Sequence, residues 1–253
     1  MSKNIIAILL RSAMLTAIIL TLSASVLRAQ YYVIAGYNAN CPLKMDNLNL
    51  VVDYYNWEHP NLQETMEHFY YMDGFTCAIG TAYEPLFAEI GYTGATQTVS
   101  SGMYDSGFWV EKQLRARLRT FDINIGICTG LKEYNYFAAG IGMNVGVFSV
   151  KTKTKADYIN NDKWSGNLAK NESGVMTFTF FLRYSPYGGY IWLQPYISIA
   201  PNKFLGFDMN RNMHPVDQYL NPTTVPTHQQ DLNITFKSTG VKMCILIPYY
   251  DNQ

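Results

Sequence analysis

Charge is scarce in this chain. Asp, Glu, Lys and Arg supply 15% of its 253 residues and cancel to a formal net charge of zero, where an ordinary soluble domain carries about 25%. That balance, with no dense Lys/Arg cluster, excludes a binder that holds nucleic acid by charge. Cysteine is confined to Cys41, Cys77, Cys128 and Cys244. Their spacing matches no zinc motif, and four thiols allow three pairings, which the sequence leaves open. Buried in strands, they would serve equally well as small apolar residues. No G-x-S-x-G elbow occurs, and nothing calls for a cofactor. Beyond the N-terminal region no apolar run reaches the roughly 20 residues that a spanning helix needs.

The N-terminal region reads as an export signal. Lys3 and Arg11 give a short positive segment, an apolar stretch follows over 13–22, and Ala29 suits the last position before a signal-peptidase cut. We expect residues 1–29 to be the signal peptide, with an uncleaved anchor as the competing reading. Residues 30–253 then form one domain of adequate core size.

What the chain has in abundance is alternation. Tyr and Phe number 20 and 13, and apolar and polar residues alternate with period two over long stretches, the pattern of strands with two unlike faces. Eight strands are expected, at 31–37, 74–82, 86–98, 111–128, 134–155, 174–185, 190–200 and 232–247. Within 46–56, Leu48, Val51, Val52 and Tyr55 recur at helical spacing, and Asn61 is placed to cap a second short helix ending near Tyr70. Residues 100–107 read as a polar loop. Connections after the second, fourth and sixth strands are tight, and those after the first, third, fifth and seventh long. Bacterial outer-membrane barrels show that asymmetry. The expected fold is all-β, a single antiparallel up-and-down transmembrane β-barrel of about eight strands, with short helical segments in the 46–70 connection. An even strand count puts both termini in the periplasm.

Periodicity cannot say which face is wet, but composition can. In the fifth strand Phe137, Ala139, Ile141, Met143, Val145 and Val147 oppose Ala138, Gly140, Gly142, Asn144 and Gly146. In the fourth, Phe121, Ile123, Ile125 and Ile127 oppose Asp122, Asn124, Gly126 and Cys128. The polar faces are small and nearly uncharged, unlike a water-facing sheet. The charges they do carry balance, Glu89 and Asp122 against Arg183 and Lys242. A narrow lumen needs small residues and paired charges, because an unpaired buried charge is costly. These four are expected to plug the interior, and eight strands leave no room for bulk diffusion. Pro195 is awkward in a closed ladder and calls for a bulge.

Above the apolar runs the outer register turns basic. Arg115, Arg117 and Arg119 continue the face of Phe121, and Lys151, Lys153 and Lys155 continue that of Val147. These six are candidates for contact with lipopolysaccharide phosphates. A solvated strand extension, or a bulge near Thr120 that turns the other face outward, are the competing readings.

The signal ending Ala29-Gln30, the Val52-Asp53-Tyr54-Tyr55-Asn56 to Pro60 segment before Gly74-Phe75, and Gln194-Pro195-Tyr196 together resemble the small outer-membrane barrels of the Bacteroidota type. The resemblance covers most of residues 30–253 as pattern. It implies a barrel fold, a surface location and insertion by the barrel-assembly machinery, and it brings no catalytic residues. Many such barrels end on an aromatic residue, whereas this chain ends Asp251-Asn252-Gln253 after Tyr249-Tyr250.

Three functions fit. The first is a non-enzymatic outer-membrane barrel that binds outer-membrane lipid, lipopolysaccharide or a protein partner through its outer loops. The second is a soluble secreted or periplasmic barrel holding an apolar ligand in the manner of lipocalins. The third is a lipid-modifying barrel enzyme. For the third, His59, His68, His214 and His228 are the available bases, all in long connections, with Glu64 and His68 one helical turn apart. Two such ligands make no metal site. Asn171-Glu172-Ser173 and Asn233-Ile234-Thr235 match the glycosylation pattern, which would be uninformative in a bacterial context.

Overall fold

The structure is a computed structural model, and it describes residues 30–42, 46–129, 136–156, 164, 173–186, 190–200 and 237–249. Residues 1–29, expected to be the signal peptide, most of the long connections, His214 and His228 lie outside the described residues.

Runs rich in Val, Ile, Phe, Tyr and Thr form the strands, as such side chains fit a pleated surface. They are β1 (Gln30–Pro42), β2 (Met72–Tyr83), β3 (Leu86–Asp105), β4 (Phe108–Cys128), β5 (Tyr136–Ala156), β6 (Ser173–Ser185), β7 (Ile191–Ile199) and β8 (Lys237–Tyr249). Each strand pairs antiparallel with the next, and β8 returns to β1, closing the barrel. The eight-stranded up-and-down barrel expected from the alternation is therefore present. Gln30 and Tyr249 lie at the same end, since Tyr31 pairs with Tyr249.

The register fixes the geometry. A path across the strands runs from Gln30 through Ala82, Phe87, Gly126, Gly140, Phe181, Tyr196 and Gly240, and returns to β1 at Asn40. It closes ten residues above its start, which tilts the strands by roughly 40°.

Four expectations need correction. Residues 100–107 are not a polar loop, because β3 and β4 run on as a paired ladder to Asp105 and Phe108. The long connection expected after the third strand is a two-residue turn at Ser106 (φ 51°) and Gly107 (φ 88°). Paired left-handed residues match the twist of flanking strands, so polar outward residues here belong to strands standing beyond the apolar zone. The second short helix does not form. A single helix, α1 (Asp46–Glu58), occupies the β1–β2 connection, and the following segment runs extended, with Glu64 bridging to Gly102 of β3. No bulge accommodates Pro195. The register on either side is unbroken, but the β6–β7 ladder lapses between Phe181↔Tyr196 and Tyr184↔Leu193 while the β7–β8 ladder continues through Pro195↔Val241. The donor that proline lacks is absorbed as a local gap on one side.

All four cysteines fall in strands, and Cys77, Cys128 and Cys244 form no disulfide.

Candidate functional site

The wall has opposite faces of opposite chemistry. Outward residues on all eight strands are apolar and exposed, among them Val33, Ile79, Ile90, Phe121, Ile141, Leu182, Ile197 and Ile245 at 47–68%. Water would not tolerate so continuous an apolar band. Each residue climbs roughly 2.5 Å along the barrel axis and each strand step roughly 3 Å. On that scale the band is roughly 25 Å tall, the height of a membrane-spanning belt. Tyr31, Tyr83, Phe137 and Tyr184 ring its lower edge, and Tyr37, Phe75 and Phe121 its upper edge, as aromatic side chains do at membrane interfaces. The barrel is thus inverted relative to a lipocalin-like protein, which would turn this face inward around its ligand.

The lumen is filled in three layers. The lowest holds Arg183 with its side chain 2% exposed and Glu89 at 1%. Although 94 residues apart in sequence, they meet across the lumen in a bidentate pair. Arg183 Nη1 donates to Glu89 Oε1 at 2.6 Å and Nη2 to Oε2 at 2.9 Å. The Tyr32 hydroxyl donates to the same carboxylate at 2.7 Å, and Arg183 Nε donates to Gln194 Oε1 at 2.9 Å. The guanidinium also stacks on Trp192 at 4.1 Å from the ring centre, a favourable cation–π arrangement. Tyr136 in turn stacks on Trp192 at 5.1 Å. Glycine makes room for such rings: a Cβ at Gly80 would strike Tyr32.

The middle layer is small and polar. Lys242 Nζ reaches Asp122 Oδ2 at 3.2 Å and Thr93 Oγ1 at 2.9 Å. Asp122 also accepts from Thr120 at 2.7 Å and from Thr93. Asn144, Thr179 and Ser198 chain together at 2.7 and 2.6 Å. The four predicted lumen residues therefore meet as two ion pairs, Arg183–Glu89 and Lys242–Asp122, on successive levels rather than as one cluster.

The upper layer is an apolar stopper built from the 46–70 connection, where short helical segments were expected. The i, i+3, i+4, i+7 face of α1, formed by Leu48, Val51, Val52 and Tyr55, is buried against Met66, Phe69, Val99, Leu114, Leu118, Phe148 and Val150. Asn49 and Asn56, two helical turns apart, each clamp the backbone of the return segment. Asn49 bonds Phe69 at 2.8 and 3.2 Å, and Asn56 bonds Met66 at 2.9 Å in both directions. Leu48 and Val52, at 0% exposure, belong to the plug that fills this mouth of the barrel. The helical spacing was visible in the sequence. That its apolar face turns into the barrel mouth was not.

The expected histidine geometry changes with the missing helix. His68 does not share a helical face with Glu64, and its Nε2 lies 2.6 Å from Asp53 Oδ1. His59 stacks on Tyr55 at 4.5 Å. Among the described residues no cluster of three or more His, Cys, Asp or Glu could hold a metal.

Outside, alternation along β4 is unbroken through Thr120, which is buried. Arg115, Arg117 and Arg119 therefore share the outward face of Phe121. Arg115 lies opposite Lys151, Arg117 opposite Ser149 and Arg119 opposite Val147. Lys155 pairs with Glu111 at 3.6 Å. Trp164 covers part of this surface, 3.9 Å from the Arg115 guanidinium and 5.8 Å from Lys153 Nζ, and Lys153 is buried. Burial, with Arg117 and Arg119 close by, pulls the Arg115 guanidinium below its ordinary value. Arg119 stands at the upper edge of the apolar belt, Arg115 roughly 10 Å higher and Lys155 roughly 20 Å higher.

No family model matches the chain, and no curated protein matches it. Among solved structures it is similar to Ail, the attachment invasion locus protein of Yersinia pestis, determined in complex with the heparin analogue sucrose octasulfate. The identity is 6% over 87% of this chain and 99% of that one, with a TM-score of 0.37.

Proposed function

We propose that this chain is a non-enzymatic outer-membrane β-barrel with a plugged lumen, acting as a structural or binding protein through its outer side. The observation that carries the reading is the pairing of an outward apolar belt with an interior closed by Arg183–Glu89, Lys242–Asp122 and the α1 stopper. A lumen so filled conducts no bulk solute. Activity then belongs to surfaces above the belt. With both ends of the barrel on the periplasmic side, α1, the β3–β4 hairpin and the basic face of β4 and β5 stand outside the cell. Of the basic residues on that face, Arg117 and Arg119 would meet outer-leaflet lipid, and Arg115, Lys151 and Lys155 the lipopolysaccharide above it, while Lys153 is buried beneath. Exposed Trp57, Tyr70, Tyr71 and Tyr104 offer contacts for a protein partner. The barrel-assembly machinery would insert the chain.

Fractionation of expressing cells, followed by gel mobility with and without boiling, tests the reading. Recovery in the outer membrane as a heat-modifiable band is expected. Detergent-free recovery in a soluble fraction would overturn it.

A further inference from the structure

The six outward cations are not one band. Arg119 sits where the apolar belt ends, at the depth of lipid phosphates, and Arg117 roughly 5 Å above it. Arg115 and Lys151 are a directly opposed cross-strand pair of like charge, standing above that plane. Like charges placed opposite on a sheet destabilise it. Among the described residues no carboxylate offsets this pair: none pairs with Arg115, Arg117 or Lys151, and the nearby Glu111 is engaged by Lys155 at 3.6 Å and by Gln113 at 2.6 Å. Arg115 Nε is buried without a hydrogen-bond partner. The Trp164 ring lies over Arg115, 3.9 Å from ring centre to guanidinium carbon, and covers one side of that side chain. A guanidinium set opposite an ammonium across a strand pair, with no carboxylate between them among the described residues, is suited to a dianionic phosphate.

We infer that Arg115, Lys151 and Trp164 form an upper anion site for a phosphate carried on the saccharide of a glycolipid in the same leaflet, distinct from a lower Arg117–Arg119 contact with lipid phosphate. This rests on the outer-membrane reading above. Phosphate bridges the opposed cations, and the half-buried indole beside them is the surface that an adjoining sugar ring would meet. The height difference between Arg115 and Arg119 sets the selection: a glycolipid must carry phosphate beyond its lipid-proximal sugars to fill both tiers.

The test uses the full barrel in detergent micelles, with binding measured by titration calorimetry against three probes. These are lipid A alone, lipopolysaccharide with a phosphorylated core, and inorganic phosphate. Arg115→Gln/Lys151→Gln should weaken binding of the phosphorylated-core form at least tenfold and leave lipid A binding unchanged. Arg117→Gln/Arg119→Gln should weaken both glycolipids. Retained heat modifiability in each variant shows that the barrel has assembled. Equal loss for both glycolipids in the Arg115/Lys151 variant, or none for either, overturns the two-tier assignment. Inorganic phosphate bound as tightly as the phosphorylated core, and lost in the same variant, overturns the glycolipid source. If the wild type binds neither glycolipid, both this inference and the lipopolysaccharide contact fail. The barrel reading, which fractionation tests separately, would stand.

Discussion

Replacing Glu89 with Gln would leave Arg183 charged and enclosed with no counter-ion. The guanidinium has no neutral form to adopt, its side chain is 2% exposed, and the phenyl, indole and amide groups around it cannot supply a compensating charge. Breaking a buried pair from one side costs about 3–5 kcal/mol. With a denaturant dependence of about 2 kcal/mol per molar urea, the unfolding midpoint should fall by about 1.5–2.5 M. The assay is reversible urea unfolding of the barrel in lipid vesicles, followed by Trp fluorescence. Trp192, stacked on Arg183 at 4.1 Å, is the one of the four tryptophans that reports on the perturbed layer. The double variant Glu89→Gln/Arg183→Met removes both charges and keeps the volume, and should return to within about 1.5 kcal/mol of wild type. If Glu89→Gln alone costs under about 1 kcal/mol, or the double variant is worse than the single one, the pair does not hold the lower lumen as argued.

The other predictions concern the remaining layers. Lys242→Met should cost less, about 1–2 kcal/mol, because Asp122 keeps the hydroxyl donors of Thr120 and Thr93; the same urea assay checks it. On the lipid face Ile123→Arg, near mid-belt, should cost about 2–4 kcal/mol, and Ile127→Arg, nearer the lower edge, about 0–1 kcal/mol. Equal costs would place that face outside a bilayer. Leu48→Ala removes a wholly buried side chain from the stopper and should cost about 2–5 kcal/mol there. Hydrogen exchange at the Met66 and Phe69 amides, which Asn56 and Asn49 hold, should speed up while exchange in β6 and β7 stays unchanged.

Local patterning carried most of the fold. Alternation along β4 and β5 names the outward residues from Phe121 to Ile127 and from Phe137 to Val147, because side chains on a strand point to opposite faces in turn. The scarcity of charge on the other face identifies the lumen, since only small groups and paired charges fit there. The Leu48, Val51, Val52 and Tyr55 spacing is enough for one helix. The second helix failed at Asn61 for a tertiary reason: the segment after α1 has its hydrogen bonds met by Gly102 of β3 and by the amides of Asn49 and Asn56. The polar residues 100–107 misled because polarity marks exposure to water, and strands that continue above a membrane are exposed to water too.

Charge balance in the sequence names Glu89, Asp122, Arg183 and Lys242 as partners of one another, but not who pairs with whom. That depends on which strands face each other across the ring and on a ten-residue stagger, and neither appears in any local window. The same stagger sorts the six outward cations by height, separating Arg119 at the lipid boundary from Arg115 and Lys151 above it. It also brings α1 over the mouth. Face, period and composition are properties of neighbouring residues, which the sequence determines by itself. Level, cross-lumen pairing and closure are properties of the whole ring, and they come into being only when β8 meets β1.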